Sequence, residues 1–243
     1  MCYTVSAVIK EEELRSLEHE YVIQWQESDP PVEFYSVSGF SHPNLPVITS
    51  EGEFKNLRWG LIPSWVKDWE NASKLRTQTL NAIGDTIDSK PSFRGAVKAN
   101  HTCIIPLNGF YEWHHHANAD KFPHFIYPKN DALFYVAGLH EVWKNPAIGD
   151  AYHTFTIITT AANERMEWIH NSKKRMPAIL NLRDSKIWLD KEVSPKDKLS
   201  LLTPFDVNEM TDHPVSKLIT SRKESPNQPK VRERFDYTEL MGA

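Results

Sequence analysis

Cysteine is nearly absent from this chain: two in 243 residues, Cys2 and Cys103. So few cannot build a disulfide framework and suit a reducing compartment, and neither lies in a metal-ligand spacing. No metal or other cofactor is expected. No apolar run approaches the length of a membrane span, and the start lacks the basic and then apolar regions of a secretory signal. A cytoplasmic protein without a membrane partner is expected. Excess positive charge is missing as well. The formal net charge of −4 excludes a coat of cations for non-specific duplex binding, so any nucleic-acid contact must come from a local basic face. Fixed-period repeats, low-complexity blocks and linkers are also lacking, which leaves one domain.

What is present is ordinary for a globular chain: 40% hydrophobic and 25% charged residues, with 8 Trp, 8 Tyr and 11 Phe for a core. Tyr3 to Ile9 is β-branched and alternating, so a strand begins almost at the amino end. Lys10 to Tyr21 predicts a polar helix, acidic early as the dipole prefers. Strands are expected over Val32–Ser38, Pro46–Thr49, Cys103–Pro106, Phe122–Tyr127, Leu133–Trp143, His153–Thr160, Ala178–Leu182 and Phe205–Met210. Helices are expected over Thr160–Ile169 and from Ser194, where Ser caps and Pro195 sits at the first helical position. Strands outnumber helices without alternating regularly with them. The pattern points to α+β, a single domain with a β-rich, barrel-like antiparallel core flanked by short helices. A domain over residues 1–220 and a polar, proline-containing tail over 221–243 follow.

Several stretches carry possible chemistry. If Met1 is removed, Cys2 presents an α-amine and a thiol on adjacent carbons. An aldehyde condenses with the amine to an imine, and the thiol then closes a thiazolidine. The α-amine is about one-third neutral near neutrality against about one in a thousand for lysine, and the thiolate stands at about a tenth. Trp59 and Trp65 flank Gly60 and Pro63, as core filling or as rings that stack on bases. Asn81, before a short Ala-Ile-Gly run, reads locally as a cap or turn residue. Strand alternation places Glu112, between Tyr111 and Trp113, on a wet face; desolvation there would instead make it a proton donor near neutrality. His114, His115 and His116 are consecutive and cannot converge on one ion, so a polar strand end is expected. Lys173, Lys174 and Arg175 enter a strand from a loop, as solvated charge or as phosphate contacts. Cys103 reads as a buried small hydrophobe.

Met1-Cys2, WGLIPSW at 59–65, LNAIGDT at 80–86, CIIPLNGFYEW at 103–113, TTAA at 159–162 and IH…RMPAIL across 169–180 together resemble the SOS response-associated peptidase (SRAP) domain, over about residues 1–210. The resemblance implies a protein of DNA damage and repair that meets abasic sites in single-stranded DNA and links to them through the amino-terminal cysteine as a thiazolidine. It implies autocatalytic removal of Met1, hence the peptidase name. A lyase side reaction on the imine is expected, as is a monomer, associated with the nucleoid when on DNA. Carried over by position, Cys2 is the nucleophile, Asn81 holds the amino end, Glu112 is the acid/base and His170 assists opening of the deoxyribose ring. Trp59, Trp113 and Arg175 match DNA-contacting positions; Lys173, Lys174 and Arg94 are expected to add cation. Tyr3-Thr4 replace the family's Gly-Arg, Ile83 replaces a phosphate-binding arginine, and residues 171–174 lengthen the His-to-Arg spacing. The alternatives are a thiol peptidase using Cys2 with His170 and a non-covalent single-strand binder.

Overall fold

The computed structural model describes residues 2–26, 30–31, 33–116 and 120–240. Met1, whose removal is expected, and Val32, expected to open a strand, lie outside the described residues. In chain order the elements are β1 (Thr4–Ala7), α1 (Glu11–Tyr21), β2 (Phe34–Ser38), β3 (Asn44–Thr49), β4 (Phe54–Trp59), α2 (Trp69–Gln78), β5 (Asn81–Ile83) and α3 (Arg94–Lys98). Then follow β6 (Thr102–Leu107), β7 (Gly109–His115), β8 (Lys121–Pro128), β9 (Phe134–Lys144), β10 (Ala151–Ala161) and α4 (Glu164–Ile169). The last are β11 (Arg175–Pro177), β12 (Ile179–Leu180), α5 (Leu182–Leu189), α6 (Pro195–Leu199) and β13 (Met210–Pro214).

Five strands close on themselves. β4 pairs β3, β3 pairs β6, β6 pairs β9, β9 pairs β10, and β10 returns to β4. Closure removes the exposed edges that an open sheet would leave. The expected single α+β domain with a barrel-like core is what forms, with one seam parallel: Thr154 opposite Arg58 and Phe155 opposite Trp59. A second sheet, in the order β13-β8-β7-β1-β2, is antiparallel throughout. The amino-terminal strand is thus an interior strand, bonded on both edges.

One core cluster joins Leu45, Val47, Trp59, Cys103, Ile105 and Phe155 of the barrel to Val5, Ala7, Phe110 and Ile126 of the second sheet. Another sets Ile48, Phe54, Ile104 and Ile158 against Leu17 of α1, Ala96 and Val97 of α3 and Trp188 of α5. Strand β6 serves both clusters, which is why it reads as an unbroken apolar run. Residues 221–240 lie along the second sheet, Arg234 forming a bridge with Val215. Val231 is buried, and the Arg232 Nε donates to Ser6 Oγ at 2.8 Å with its guanidinium 5.0 Å from the Tyr35 ring.

Three local expectations are corrected. Thr160 does not open a helix but pairs with Met176 in the ladder of β10 and β11. The cap is Asn163, whose Oδ1 accepts from Met166 N at 2.9 Å; a β-branched Thr suits the strand and Asn the cap. The final strand starts at Met210, while Phe205 packs edge-on to Phe134 at 5.8 Å. Trp59, expected to contact DNA, is fully buried. Its ring stacks on Phe155, its Nε1 donates to Leu80 O at 2.8 Å, and a Cβ at Gly39 would sit 3.1 Å from it. Gly60 then turns the chain at φ 113°, where a Cβ would meet Arg76 O at 2.6 Å.

Trp59→Ala should therefore lower unfolding free energy by about 3–5 kcal/mol, with the melting temperature falling about 2–4 °C per kcal/mol. A denaturant titration showing a loss under about 1 kcal/mol would contradict the core assignment.

Candidate active site at the head of the first strand

β1 runs antiparallel to β7 with Thr4 opposite Tyr111 and Val5 opposite Phe110, and just beyond that register Tyr3 and Glu112 line the same cleft. Successive side chains on β7 then divide between two packed faces. Phe110 joins the main core and Tyr111 joins a third cluster with Phe125 and Val215, against which Trp113 packs. Glu112 shares the face of Phe110 and is 5% exposed. The wet face expected from alternation does not exist, because β7 is covered on both sides. Burial pushes its carboxyl up from 4.5 to about 8.

His170 caps the C-terminal end of α4, its Nε2 3.8 Å from Glu112 Oε2. Its Nδ1 lies 2.8 Å from the Arg175 carbonyl. Burial, with His115 and Lys173 nearby, pushes the imidazole down to about 4. Near neutrality the ring is neutral, so Nδ1–H donates to that carbonyl and Nε2 is left as an acceptor facing Glu112. Beside Glu112 the normal order is reversed: a proton sits on the carboxyl and none is added to the imidazole.

Cys2 is fully buried. Asn81, in β5 rather than at a cap or turn, donates from Nδ2 to the Cys2 carbonyl at 2.9 Å. Its buried Oδ1 has no hydrogen-bond partner among the described residues. Burial and then the charge of Glu112 raise the Cys2 thiol well above its ordinary value, so the expected tenth of thiolate is not available in this state. The cleft itself, about 510 Å³, is lined by Tyr3, Glu112, Trp113, His115, Lys121, His170, Ser172 and Lys173. No group of His, Cys, Asp and Glu among the described residues is arranged to hold a metal.

The other basic candidates divide. Lys173 lines the cleft. Lys174 is held by Glu167 at 3.1 Å. Arg175 bonds Asp85 at 2.9 Å and the Thr159 carbonyl at 2.6 Å, and its side chain is only 17% exposed. Arg94 lies on α3, whose buried residues pack in the cluster under the helices, and it does not line the cleft. Sequence reasoning missed Lys121; its signal was the β7–β8 hairpin, which pairs it with His115.

With this geometry established, the chain matches the model of the SOS response associated peptidase (SRAP) family over residues 1–222. It is 42% identical over 194 residues to the abasic site processing protein YoqW of Bacillus subtilis (strain 168), covering 78% of this chain and 82% of that one. The abasic site processing protein HMCES of Xenopus tropicalis is 32% identical across 90% of this chain and 71% of its own length. A crystal structure from Bacteroides thetaiotaomicron superposes with a TM-score of 0.88 at 36% identity, over 96% of this chain and all of the other. One from Bordetella bronchiseptica, at 21% identity and a TM-score of 0.74, covers 88% of this chain and all of its own and shares the fold.

Replacing Glu112 with Gln should change how stability depends on pH. The folded carboxyl holds its proton up to about 8 and the unfolded one only to about 4.5, so wild-type stability is lost as pH rises through that window. The variant, which cannot ionise, should melt at a temperature close to wild type at the acid end and increasingly above it toward the alkaline end. A flat difference across the window would show that Glu112 ionises as it does in water.

Proposed function

This chain belongs to the SOS response associated peptidase family, and on that premise we propose that it processes abasic sites in single-stranded DNA by covalent capture through Cys2. The observation that carries the reading is the meeting of four separate segments around the amino end, with Glu112 and His170 lining the cleft and Cys2 buried behind it. The Cys2 carbonyl is held by Asn81 at 2.9 Å, and the Glu112–His170 pair at 3.8 Å stands beside it. The relatives named abasic site processing proteins support the substrate.

The steps follow from the protonation states. Hydrolysis of the Met1–Cys2 bond frees the α-amine. The closed sugar has no carbonyl, so His170 Nε2 accepts the anomeric hydroxyl proton while Glu112 donates to the ring oxygen as the C–O bond breaks. The amine adds to the resulting aldehyde carbon, its proton passing in net to the alkoxide. Glu112, reprotonated by the proton that His170 took and now returns across 3.8 Å, protonates the departing hydroxyl. Water leaves, and the iminium gives its proton back to the Glu112 carboxylate to form the imine. The thiol sulfur then bonds to the same carbon, and its proton passes in net to the imine nitrogen. Burial of the thiol puts the amine first and the sulfur second. The delay leaves an imine open to β-elimination, the proposed lyase side reaction. Asn81, with an acceptor oxygen to spare beside Cys2, orients the amine. A Cys–His peptidase of ordinary type needs a thiolate and an imidazolium, and here both groups are neutral, so turnover on peptides is the weaker reading.

Cys2→Ala should give no adduct with an abasic single strand that survives denaturing electrophoresis, yet should still be trapped by borohydride, because its α-amine remains. Wild-type yields of stable adduct from that variant would remove the thiol from the mechanism. Glu112→Gln should slow adduct formation about 100-fold or more with Cys2 still present; an unchanged rate would end its role as proton donor.

A further inference from the structure

The loop between α4 and β11 is tied to the end of β7 by a reciprocal pair of bonds. His115 N donates to Asn171 Oδ1 at 3.1 Å, and Asn171 Nδ2 donates to the His115 carbonyl at 2.9 Å. Lys173 N and Lys174 N then both turn back onto the His170 carbonyl, at 3.2 and 2.8 Å, with Lys174 in the left-handed region at φ 50°. The turn sends the two lysines to different places. Lys174 reaches Glu167, whereas Lys173 enters the cleft. Across the hairpin, Lys121 is paired with His115. Two ammonium groups and an imidazole from three segments thus line one cleft. Neither Lys121 nor Lys173 has an acidic partner within ion-pairing distance among the described residues. The other basic groups put forward from the sequence lie elsewhere or are already engaged.

We infer that Lys121, Lys173 and His115 form a seat for one backbone phosphate of the DNA strand flanking the abasic sugar. This rests on the proposed capture of abasic single strands and adds the place where the strand is gripped. Three features suit a phosphate. Two exposed cations line the same cleft without an ion-pair partner among the described residues, and His115, paired with Lys121 across the hairpin and tied to the Lys173 loop through Asn171, adds a third donor. The carboxyl in the cleft carries its proton near neutrality and does not repel an anion. Arg175, neutralised by Asp85 and bonded to Thr159, cannot turn to a phosphate without breaking those contacts. On a chain of net charge −4, a local seat of this kind decides where a polyanion settles.

The test uses the full chain and a single strand carrying a tetrahydrofuran abasic analogue, which has no aldehyde and reports binding alone. The double variant Lys121→Ala/Lys173→Ala should bind about tenfold more weakly. Its salt dependence should be shallower by about 0.7 in log–log slope, the value for one phosphate neutralised on a single strand. Lys186→Ala, which removes a cation paired with Glu20 away from the cleft, should do neither. Neutral methylphosphonates placed one linkage at a time should weaken wild type at one linkage beside the analogue, and the double variant should be insensitive at that linkage. Equal affinity and slope for the double variant, an equal loss in Lys186→Ala, or the same linkage sensitivity in both proteins would each overturn the seat. A parallel incubation with a natural abasic strand keeps the two ideas apart: absence of any wild-type adduct there defeats covalent capture, whereas an adduct with an unmoved double variant defeats only the seat.

Discussion

The pairing of β1 on both of its edges is the constraint from which the site follows. A strand that begins at residue 4 would ordinarily fray, but here β7 and β2 hydrogen-bond it from either side. Gly39 N also donates to the Tyr3 carbonyl at 2.8 Å, so order extends to the residue beside Cys2. Asn81 reaches the Cys2 carbonyl from a strand on the other sheet. The amino end proposed to react is thereby placed by a sheet rather than by a loop. Precision of position is what the proposed covalent capture of a sugar carbon requires.

Dryness does the rest. Both faces of β7 are packed, so Glu112 keeps a proton and His170 stays neutral, giving a donor and an acceptor that coexist near neutrality without forming a tight ion pair. Holding them so costs stability at alkaline pH, and the surroundings of α4 are built to bear it. Arg165 makes two bonds to Asp212, at 2.6 and 2.9 Å, and His124 bonds the same carboxyl at 2.8 Å. Trp168 stacks on His114 at 4.2 Å, while its own carbonyl meets His114 Nδ1 at 2.7 Å. Those contacts anchor the helix two residues before His170.

Charge is distributed by the same logic. The conspicuous Lys-Lys-Arg triple is not one cationic patch: a left-handed residue at Lys174 splits it. One side chain goes to the cleft, one to Glu167, and the arginine goes inward to tie β10 to Asp85. Arg175 also supplies, through its carbonyl, the bond that sets the His170 tautomer. Its contribution to the site is therefore positional.

The linear chain determined a good deal: the α+β class, the barrel-like core and most strands, which were legible because local periodicity carries them. Cys2, Asn81, Glu112 and His170 were put forward as a set only by the resemblance to the SRAP family, not by periodicity. Exposure and partnership were not legible. Trp59 and Trp113 look alike along the chain, yet the first is sealed beneath Phe155 and Gly39 and the second borders the cleft. Alternation placed Glu112 in water because a period of two records which residues share a face and not whether anything covers that face. Lys121 was invisible as a site residue because only the hairpin brings it to His115 and a tied loop brings Lys173 to both. Side-chain chemistry is written residue by residue, whereas burial, and with it the protonation of Glu112, His170 and Cys2, arises from segments distant in the chain and exists only once they have packed.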